Sequence, residues 1–123
     1  MFKFLRRTWL WIIAIPVMLI MLGAFSNQLV LWANNDTFPV LANPIVVERM
    51  GGVLVFEGKS YLDFVHVVMT PQTHLNFLAD VFDFGRAYLS VGDLLLDLGD
   101  YLMQYAFAIW MFVAAVLLND EEC

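Results

Sequence analysis

Two long uncharged stretches dominate the pattern of hydrophobic and polar positions along the chain. The first extends from Thr8 to Ala33, and its 26 residues would reach about 39 Å as a helix. The second extends from Tyr101 to Asn119, and its 19 residues are just sufficient to cross the ~30 Å hydrocarbon core of a bilayer. The pattern therefore predicts two transmembrane helices.

Basic and aromatic residues mark the ends of the first stretch. Tryptophans stand near both ends, as in the aromatic belts of membrane interfaces, and basic residues precede it. The topology anchors are Lys3, Arg6, Arg7, Trp9, Trp11 and Trp32. Three basic residues lie within the first seven positions, whereas the 54 positions of 34–87 carry only three, so we expect a cytoplasmic N-terminus.

A secretory signal peptide is the alternative interpretation of the first stretch. Its n-region would be basic, and Ala24 and Ser26 would supply a small-residue cleavage site before Asn27. The apolar run from Trp9 to Phe25 is longer than a usual h-region, so we favour a retained helix. Ser26, Asn27 and Gln28 either lie at headgroup level, which we favour, or hydrogen-bond to a neighbouring helix.

Helical spacing continues upstream of the second stretch. Polar residues recur there every three or four positions, which places them on one helix face. These residues are Ser90, Asp93, Asp97, Asp100 and Gln104. Ser90 is the expected N-cap of this helix. The acidic face is either an ion or proton path or, as we favour, a polar surface turned to water or to the loop segment, with Arg86 as a candidate partner.

The segment between the helices is apolar enough to be ordered, and proline and glycine mark its turns. We predict a β-hairpin from Ile45–Glu48 and Val53–Glu57. Tyr61–Met69 is predicted as a third strand or a short helix, and His74–Phe84 as a short interfacial helix. The expected fold class is a mainly α membrane protein with two transmembrane helices and a small ordered extracytoplasmic segment.

The composition is that of a membrane protein, and the charge argues against one class of function. Hydrophobic residues make up 62% of the 123-residue chain and charged residues 15%, which is more apolar than a soluble domain of this size can bury. The net charge of −6 argues against nucleic-acid binding, which needs clustered Lys and Arg. Cys123 is the single cysteine, so no intrachain disulfide is expected.

Metal and catalytic chemistry have little support in the sequence. Asp63, His66 and His74 form the one metal-like cluster, a weak candidate because the spacing matches no ligand motif and zinc sites need three or four close ligands. No nucleophile–base pair, phosphate loop or cofactor motif is present. We therefore expect a non-enzymatic protein that needs no cofactor.

The two predicted spans divide the chain into five segments. These are a cytoplasmic N-terminus at 1–7, a transmembrane helix at 8–33, an extracytoplasmic segment at 34–87, an amphipathic start with the second transmembrane helix at 88–118, and an acidic cytoplasmic tail at 119–123. The acidic tail does not contradict this topology, because acidic residues contribute little to membrane orientation.

Four sequence elements resemble those of a family. They are Asn34-Asn35…Phe38-Pro39-Val40, His66…Thr70, Thr73-His74-Leu75…Leu78-Ala79-Asp80 and Ser90-Val91-Gly92-Asp93…Gly99. Their order resembles an uncharacterised family of bacterial multi-pass membrane proteins with Asn-x4-Pro-Val, Thr-x-Leu-x2-Leu-x-Asp and Ser-x-Gly-Asp elements. It is also similar to short two-span members from bacteriophages and prophages. The resemblance covers 34–99 and implies a membrane location without an established activity. We expect the location to be the bacterial inner membrane.

Three functions follow as hypotheses. We favour docking on another membrane protein, as an accessory subunit or as a phage-encoded modulator of a host envelope complex, for instance in superinfection exclusion. Gly92 and Gly99 would permit the close helix approach that such docking uses. The alternatives are a holin-like self-assembling pore and a small channel or transporter subunit that uses the three aspartates. The expected partners are the lipid bilayer and another membrane protein or further copies of this chain.

Overall fold

The computed structural model describes residues 2–49, 51–85 and 87–120. The chain divides into a helical unit of Met1–Leu22 with Leu95–Cys123 and a sheet unit of Gly23–Leu94. In chain order the elements are α1 (Phe2–Ala33), β1 (Phe38–Val40), α2 (Pro44–Arg49), β2 (Leu54–Phe56), β3 (Lys59–Tyr61), β4 (His66–Val68), a 3₁₀ helix (Asn76–Leu78), β5 (Phe82–Asp83), β6 (Tyr88–Leu89) and α3 (Val91–Asp120).

The two uncharged stretches form long helices, as predicted. Both α1 and α3 contain a segment long and apolar enough to cross a membrane, and only 11% of each segment is buried inside the chain. The core helix of a soluble protein would instead have a broad apolar face covered by other elements. Among the predicted anchors, Arg7, Trp11 and Trp32 are exposed and Trp9 is half-buried.

Within the helical unit, the two helices approach closely at a glycine of α3. A Cβ atom on Gly99 would lie 2.7 Å from Ile20 Cγ1 and 2.9 Å from the carbonyl oxygen of Pro16. The close approach that Gly99 permits is therefore used within this chain. Residues of both helices also line an apolar cavity formed by Trp9, Ile13, Trp110, Val113 and Ala114.

The sheet unit is built on a four-stranded sheet with the order β1-β4-β3-β2. β1 and β4 run parallel, with Phe38 opposite His66, whereas β2 and β3 form an antiparallel hairpin. The hairpin turns at Glu57 and Gly58, whose φ angles are 48° and 78°. Two successive residues at positive φ are typical of the type I′ turn, which matches the natural twist of a hairpin. β5 and β6 form a separate two-stranded sheet.

The predicted hairpin was wrong in its first strand. Residues of that strand belong to the helix α2, which begins at Pro44. Proline suits the first turn of a helix because its missing N–H would have no partner there. The paired glycines end this helix rather than turning a hairpin, since the Gly52 N–H donates to the Val47 carbonyl oxygen at 2.8 Å. Of the two predicted strands, only the second is found, as β2 paired with β3.

The predicted helix at His74–Phe84 was also wrong. Only a single 3₁₀ turn forms there, and it begins next to Leu75, whose φ is 54°. After that turn, the Asp80 N–H donates to the Pro39 carbonyl oxygen at 3.1 Å, and its carbonyl oxygen accepts the Leu41 N–H at 2.9 Å. Pairing with β1 therefore overrides the local helical pattern. The strand alternative for Tyr61–Met69 is confirmed by β4.

The core of the sheet unit is small. Val30 from α1, Phe38 from β1 and Ala79 are buried together. The partly buried residues packed against them are Leu31, Met69, Leu75 and Leu78. Burial of these side chains fixes the segment around Ala79 against β1, which also fixes the position of the neighbouring Asp80.

Candidate functional site

A polar cluster holds the start of α3 within the sheet unit. The Asp93 N–H donates to Ser90 Oγ at 3.0 Å, and the Ser90 N–H donates to Asp93 Oδ2 at 3.0 Å. This reciprocal pair is a capping box with aspartate in the place of the usual glutamate. The prediction that Ser90 caps this helix is therefore confirmed.

Asn27 of α1 completes this polar cluster. Its Nδ2 donates to Asp93 Oδ1 at 2.8 Å, and its Oδ1 accepts the Ser90 hydroxyl at 2.8 Å. A Cβ atom on Gly92 would overlap the Asn27 side chain, so the glycine makes room for these bonds. Of the two interpretations offered for Asn27, hydrogen bonding to a neighbouring helix is confirmed, and its position at headgroup level stays a prediction.

The remaining polar residues of the acidic face lie in the helical unit. Asp97, Asp100 and Gln104 are exposed. Gln104 Nε2 donates to Asp100 Oδ2 at 3.0 Å, an interaction within a single helix. Asp93 differs from the two other aspartates because both of its carboxylate oxygens accept hydrogen bonds within the sheet unit.

Asp63 and His66, which the sequence nominated together, meet at the start of β4. Asp63 Oδ1 accepts the N–H groups of Val65 and His66 at 2.8 and 2.7 Å, and its Oδ2 lies 2.7 Å from His66 Nδ1. Burial raises the pKa of the Asp63 carboxyl, but the backbone and ring hydrogen bonds together outweigh it and lower the pKa from its ordinary value. The hydrogen bond between Nδ1 and Asp63 therefore fixes the orientation of the His66 ring.

Asp80 lies on the other side of His66, a neighbour that sequence reasoning missed. Its carboxyl group is buried, with only 6% of the residue exposed, and Oδ2 lies 3.9 Å from His66 Nε2. Oδ1 has no hydrogen-bond partner within the described ranges. Burial raises the pKa of Asp80 to about 6, the charge of Asp93 adds to this rise, and the charge of His66 opposes it.

These residues line a cavity of about 270 Å³ in the sheet unit. Its lining residues are Val40, Arg49, Leu62, Asp63, His66, Asp80, Asp83, Gly85, Ala87 and Tyr88. The described residues of the wall therefore supply three carboxylates and one guanidinium. The carboxylates come from the ends of different strands and loops, and only two of the lining polar residues were nominated from the sequence.

His74 does not join Asp63 and His66. It lines a separate cavity, and the Asn34 side chain fixes its backbone by accepting the His74 N–H and donating to the His74 carbonyl oxygen, both at 2.8 Å. Across the described residues, no group of three His, Cys, Asp or Glu side chains is placed to hold a metal ion. The structure thus separates His74 from the two other weak metal candidates, Asp63 and His66.

An apolar surface surrounds the hairpin of the sheet unit. The three residues of β2, Leu54, Val55 and Phe56, are 80%, 72% and 63% exposed, and Phe64 is fully exposed. β2 stands at the end of the described sheet, so one side of its backbone has no neighbouring strand there. We call these four residues the apolar edge. Sequence reasoning did not nominate this surface.

Comparison with family models gives one match. The model of a family of unknown function, DUF5317, matches residues 5–105. The chain belongs to this family. The matched part of DUF5317 includes most of α1, all six strands and the first half of α3, so it extends the resemblance noted at 34–99 to the first helix. Searches among curated proteins and among solved structures found no match.

Several nominated residues lie outside the part of the DUF5317 chain that the structure describes. They are Arg86, Cys123 and the acidic residues Glu121 and Glu122. The backbone of α1 includes Lys3 and Arg6, but their side chains are likewise outside the description. The role of Arg86 as a partner of an aspartate and the topology assigned to the tail stay predictions.

Proposed function

We propose that this DUF5317 protein is a non-enzymatic, two-span protein of the bacterial inner membrane that binds another membrane protein through the apolar edge. α1 and α3 would cross the bilayer with both termini in the cytoplasm, and the sheet unit would face the extracytoplasmic side. The partner would be a host envelope complex, to which the chain binds as an accessory subunit or as a phage-encoded modulator. The single observation that carries this proposal is the exposed strand β2.

The backbone of β2 is open to pairing. An edge strand presents a row of unpaired N–H and C=O groups, which natural proteins usually protect with lysine, proline or a bulge. Leu54–Phe56 has neither a lysine nor a proline, and the hairpin register continues without a bulge through all three pairs. A strand from a partner could therefore extend this sheet by β-augmentation.

The side chains of the apolar edge support the same interpretation. Leu54, Val55, Phe56 and Phe64 are all highly exposed, although fully burying one such side chain contributes about 1.5–3 kcal/mol. A contiguous exposed patch of this kind commonly marks an interaction surface in a folded protein. Backbone pairing would supply the orientation of the partner, and burial of the patch would supply most of the affinity.

Self-association through the same edge is the competing outcome, and it would favour a holin-like assembly. A tag placed after Cys123 allows purification from native cells in mild detergent, followed by native mass determination. We expect a foreign membrane protein in fixed stoichiometry with this chain. Val55→Lys combined with Phe64→Ser should abolish its recovery, because the lysine protects the edge and the serine removes the largest apolar contact.

Phe77→Ser provides the matched control for this experiment. Phe77 belongs to the same sheet unit and is 69% exposed, but it lies in the 3₁₀ helix rather than on the apolar edge. The control variant should retain the partner. Recovery of a pure homo-oligomer, or equal recovery of the foreign protein with the edge variant, would overturn the proposal.

A further inference from the structure

We propose that the cavity beside His66 and Asp80 is a binding site for a small organic cation that carries a primary ammonium group. The site is independent of the apolar edge, and the sequence nominated two of its residues, Asp63 and His66, only as weak metal candidates. Its support comes from a buried carboxylate, from the geometry between two facing acceptors, and from the charge of the cavity wall.

The first argument is the buried carboxyl group of Asp80. The side chain is 8% exposed and lines the cavity, and its Oδ1 has no hydrogen-bond partner within the described chain. Burying a carboxylate without a donor is costly, so most buried polar groups in proteins are paired. A cationic donor that enters the cavity would offset this cost, and the binding of such a donor is therefore favoured at this place.

The second argument is the geometry between His66 and Asp80. Oδ2 of Asp63 lies 2.7 Å from Nδ1 of the ring, so in the uncharged form of His66 the ring proton is on Nδ1, which donates it to Asp63. Nε2 is then an acceptor, and it faces Asp80 Oδ2 across 3.9 Å. An ammonium nitrogen about 2.8 Å from each of the two acceptors would fit across this separation and donate to both.

The third argument is the electrostatics of the wall. Among the described residues of the wall, the carboxylates of Asp63, Asp80 and Asp83 outnumber the guanidinium of Arg49, which donates through Nη1 to the Gly85 carbonyl oxygen at 3.2 Å. A net negative wall attracts a cation and raises its local concentration.

The cavity also has walls suited to the carbon part of such a ligand. Val40, Leu62 and Ala87 supply apolar surface, and the volume of about 270 Å³ suits a molecule of a few heavy atoms. A metal ion is the less suitable occupant of the described site, because no three ligating side chains converge there. An aliphatic amine matches this lining, because its ammonium group would bind the polar acceptors and its methylene groups would contact the apolar residues.

Histidine NMR on the full chain in detergent micelles tests this site. The chain contains two histidines, so ¹⁵N labelling of histidine reports His66 in the cavity and His74 as an internal control outside it. Putrescine is the probe, at neutral pH. We expect a saturable shift of the His66 Nε2 resonance with no change at His74. Tetramethylammonium, which has charge but no N–H, should not reproduce the shift.

Substitution of the buried carboxyl identifies its role. Asp80→Asn should weaken putrescine binding by at least about tenfold, the effect of losing a charge-assisted hydrogen bond. Asp97→Asn, an exposed aspartate of the helical unit, should leave the affinity unchanged. If Asp80→Asn disturbs the fold, His66→Gln is the second variant, followed through the backbone amide of Gly85 in the cavity wall, and it should also weaken binding.

Several outcomes would overturn the proposal. They are the absence of a saturable His66 shift, an equal response to tetramethylammonium, tighter binding of Mg²⁺ than of putrescine, and undiminished binding by well-folded Asp80→Asn. The variant with Val55→Lys and Phe64→Ser should bind putrescine normally, because neither residue lines this cavity. Failure of the docking proposal and failure of the ligand site can thus be told apart.

Discussion

Asn27 donates a hydrogen bond from Nδ2 to Oδ1 of Asp93 at 2.8 Å, although 66 positions separate the two residues in the sequence. Asn27 belongs to α1 and Asp93 to the first turn of α3. The bond therefore joins the two ends of the sheet unit. A carboxylate near the N-terminus of a helix also interacts favourably with the helix dipole. Asp93 thus has a structural role at the start of α3 as well as a position on the acidic face.

Replacing Asn27 tests how much this junction stabilises the protein. Asn27→Ala leaves both Asp93 Oδ1 and the Ser90 hydroxyl without their partner, which should lower the free energy of unfolding by about 1–3 kcal/mol. Thermal unfolding in detergent micelles measures the change. Gln28→Ala, which removes the half-buried neighbouring amide, is the control and should have a smaller effect. An unchanged melting temperature for Asn27→Ala would contradict this role.

Gly99 allows a second test, within the helical unit. Alanine is ordinarily a better helix former than glycine by about 1 kcal/mol. At this position a Cβ would lie 2.9 Å from a backbone carbonyl oxygen, which cannot move aside without shifting the helix. Gly99→Ala should therefore destabilise the helix pair by about 1–3 kcal/mol.

Whether Gly99→Ala stabilises or destabilises the protein distinguishes the contribution of helix propensity from that of close packing. Thermal unfolding followed by helical circular dichroism measures it, with Leu98→Ala as the neighbouring control because Leu98 is exposed. If Gly99→Ala were stabilising, intrinsic helix propensity would dominate and the close packing of α1 against α3 would be refuted.

The parts that sequence reasoning predicted correctly depend on local information. A long uncharged run favours a helix in a bilayer, because the backbone hydrogen bonds of a helix all form within the run itself. The Ser90 cap is likewise determined within four residues. The same reasoning failed at Gly51-Gly52, since a glycine pair marks a helix end and a hairpin turn equally well.

The cavity could not be predicted from local pattern. His66 and Asp80 come together because β1 pairs with β4 on one side and with the backbone of Asp80 on the other. This arrangement requires a parallel pairing across more than twenty residues, which leaves no periodic signal in the sequence. Asp63 was predictable as a neighbour of His66 because it is three positions away, whereas His74 was not excluded by any spacing rule.

Asp63 is expected to stabilise the turn before β4. Its Oδ1 accepts two backbone N–H groups, so Asp63→Ala should destabilise the sheet unit by about 1 kcal/mol. Asp63→Asn keeps an acceptor oxygen at the same position and should cost less. Amide hydrogen exchange in the sheet unit compares the two variants. Equal destabilisation by alanine and asparagine would show that the turn does not depend on the acceptor.

The titration of Asp80 predicts how stability depends on pH. Its pKa is raised to about 6 in the folded chain, from an ordinary value of 3.8. Between these two values the folded state binds more protons than the unfolded state, so the free energy of unfolding falls as the pH rises through this window. The ionised group would cost about 3 kcal/mol above pH 6, with one pKa unit corresponding to about 1.4 kcal/mol.

The charged neighbours of Asp80 affect its pKa, and they suggest which variants test the pH dependence. His66 lies 3.9 Å away, and the charge of Asp93 also acts on the carboxyl group. Asp80→Asn should remove most of the pH dependence between about 4 and 6, because the amide cannot ionise. His66→Gln should preserve its direction, because the ionised carboxylate would stay buried. The loss of dispersed amide signals from the sheet unit on heating measures both variants. An unchanged pH profile in Asp80→Asn would assign the dependence to another group.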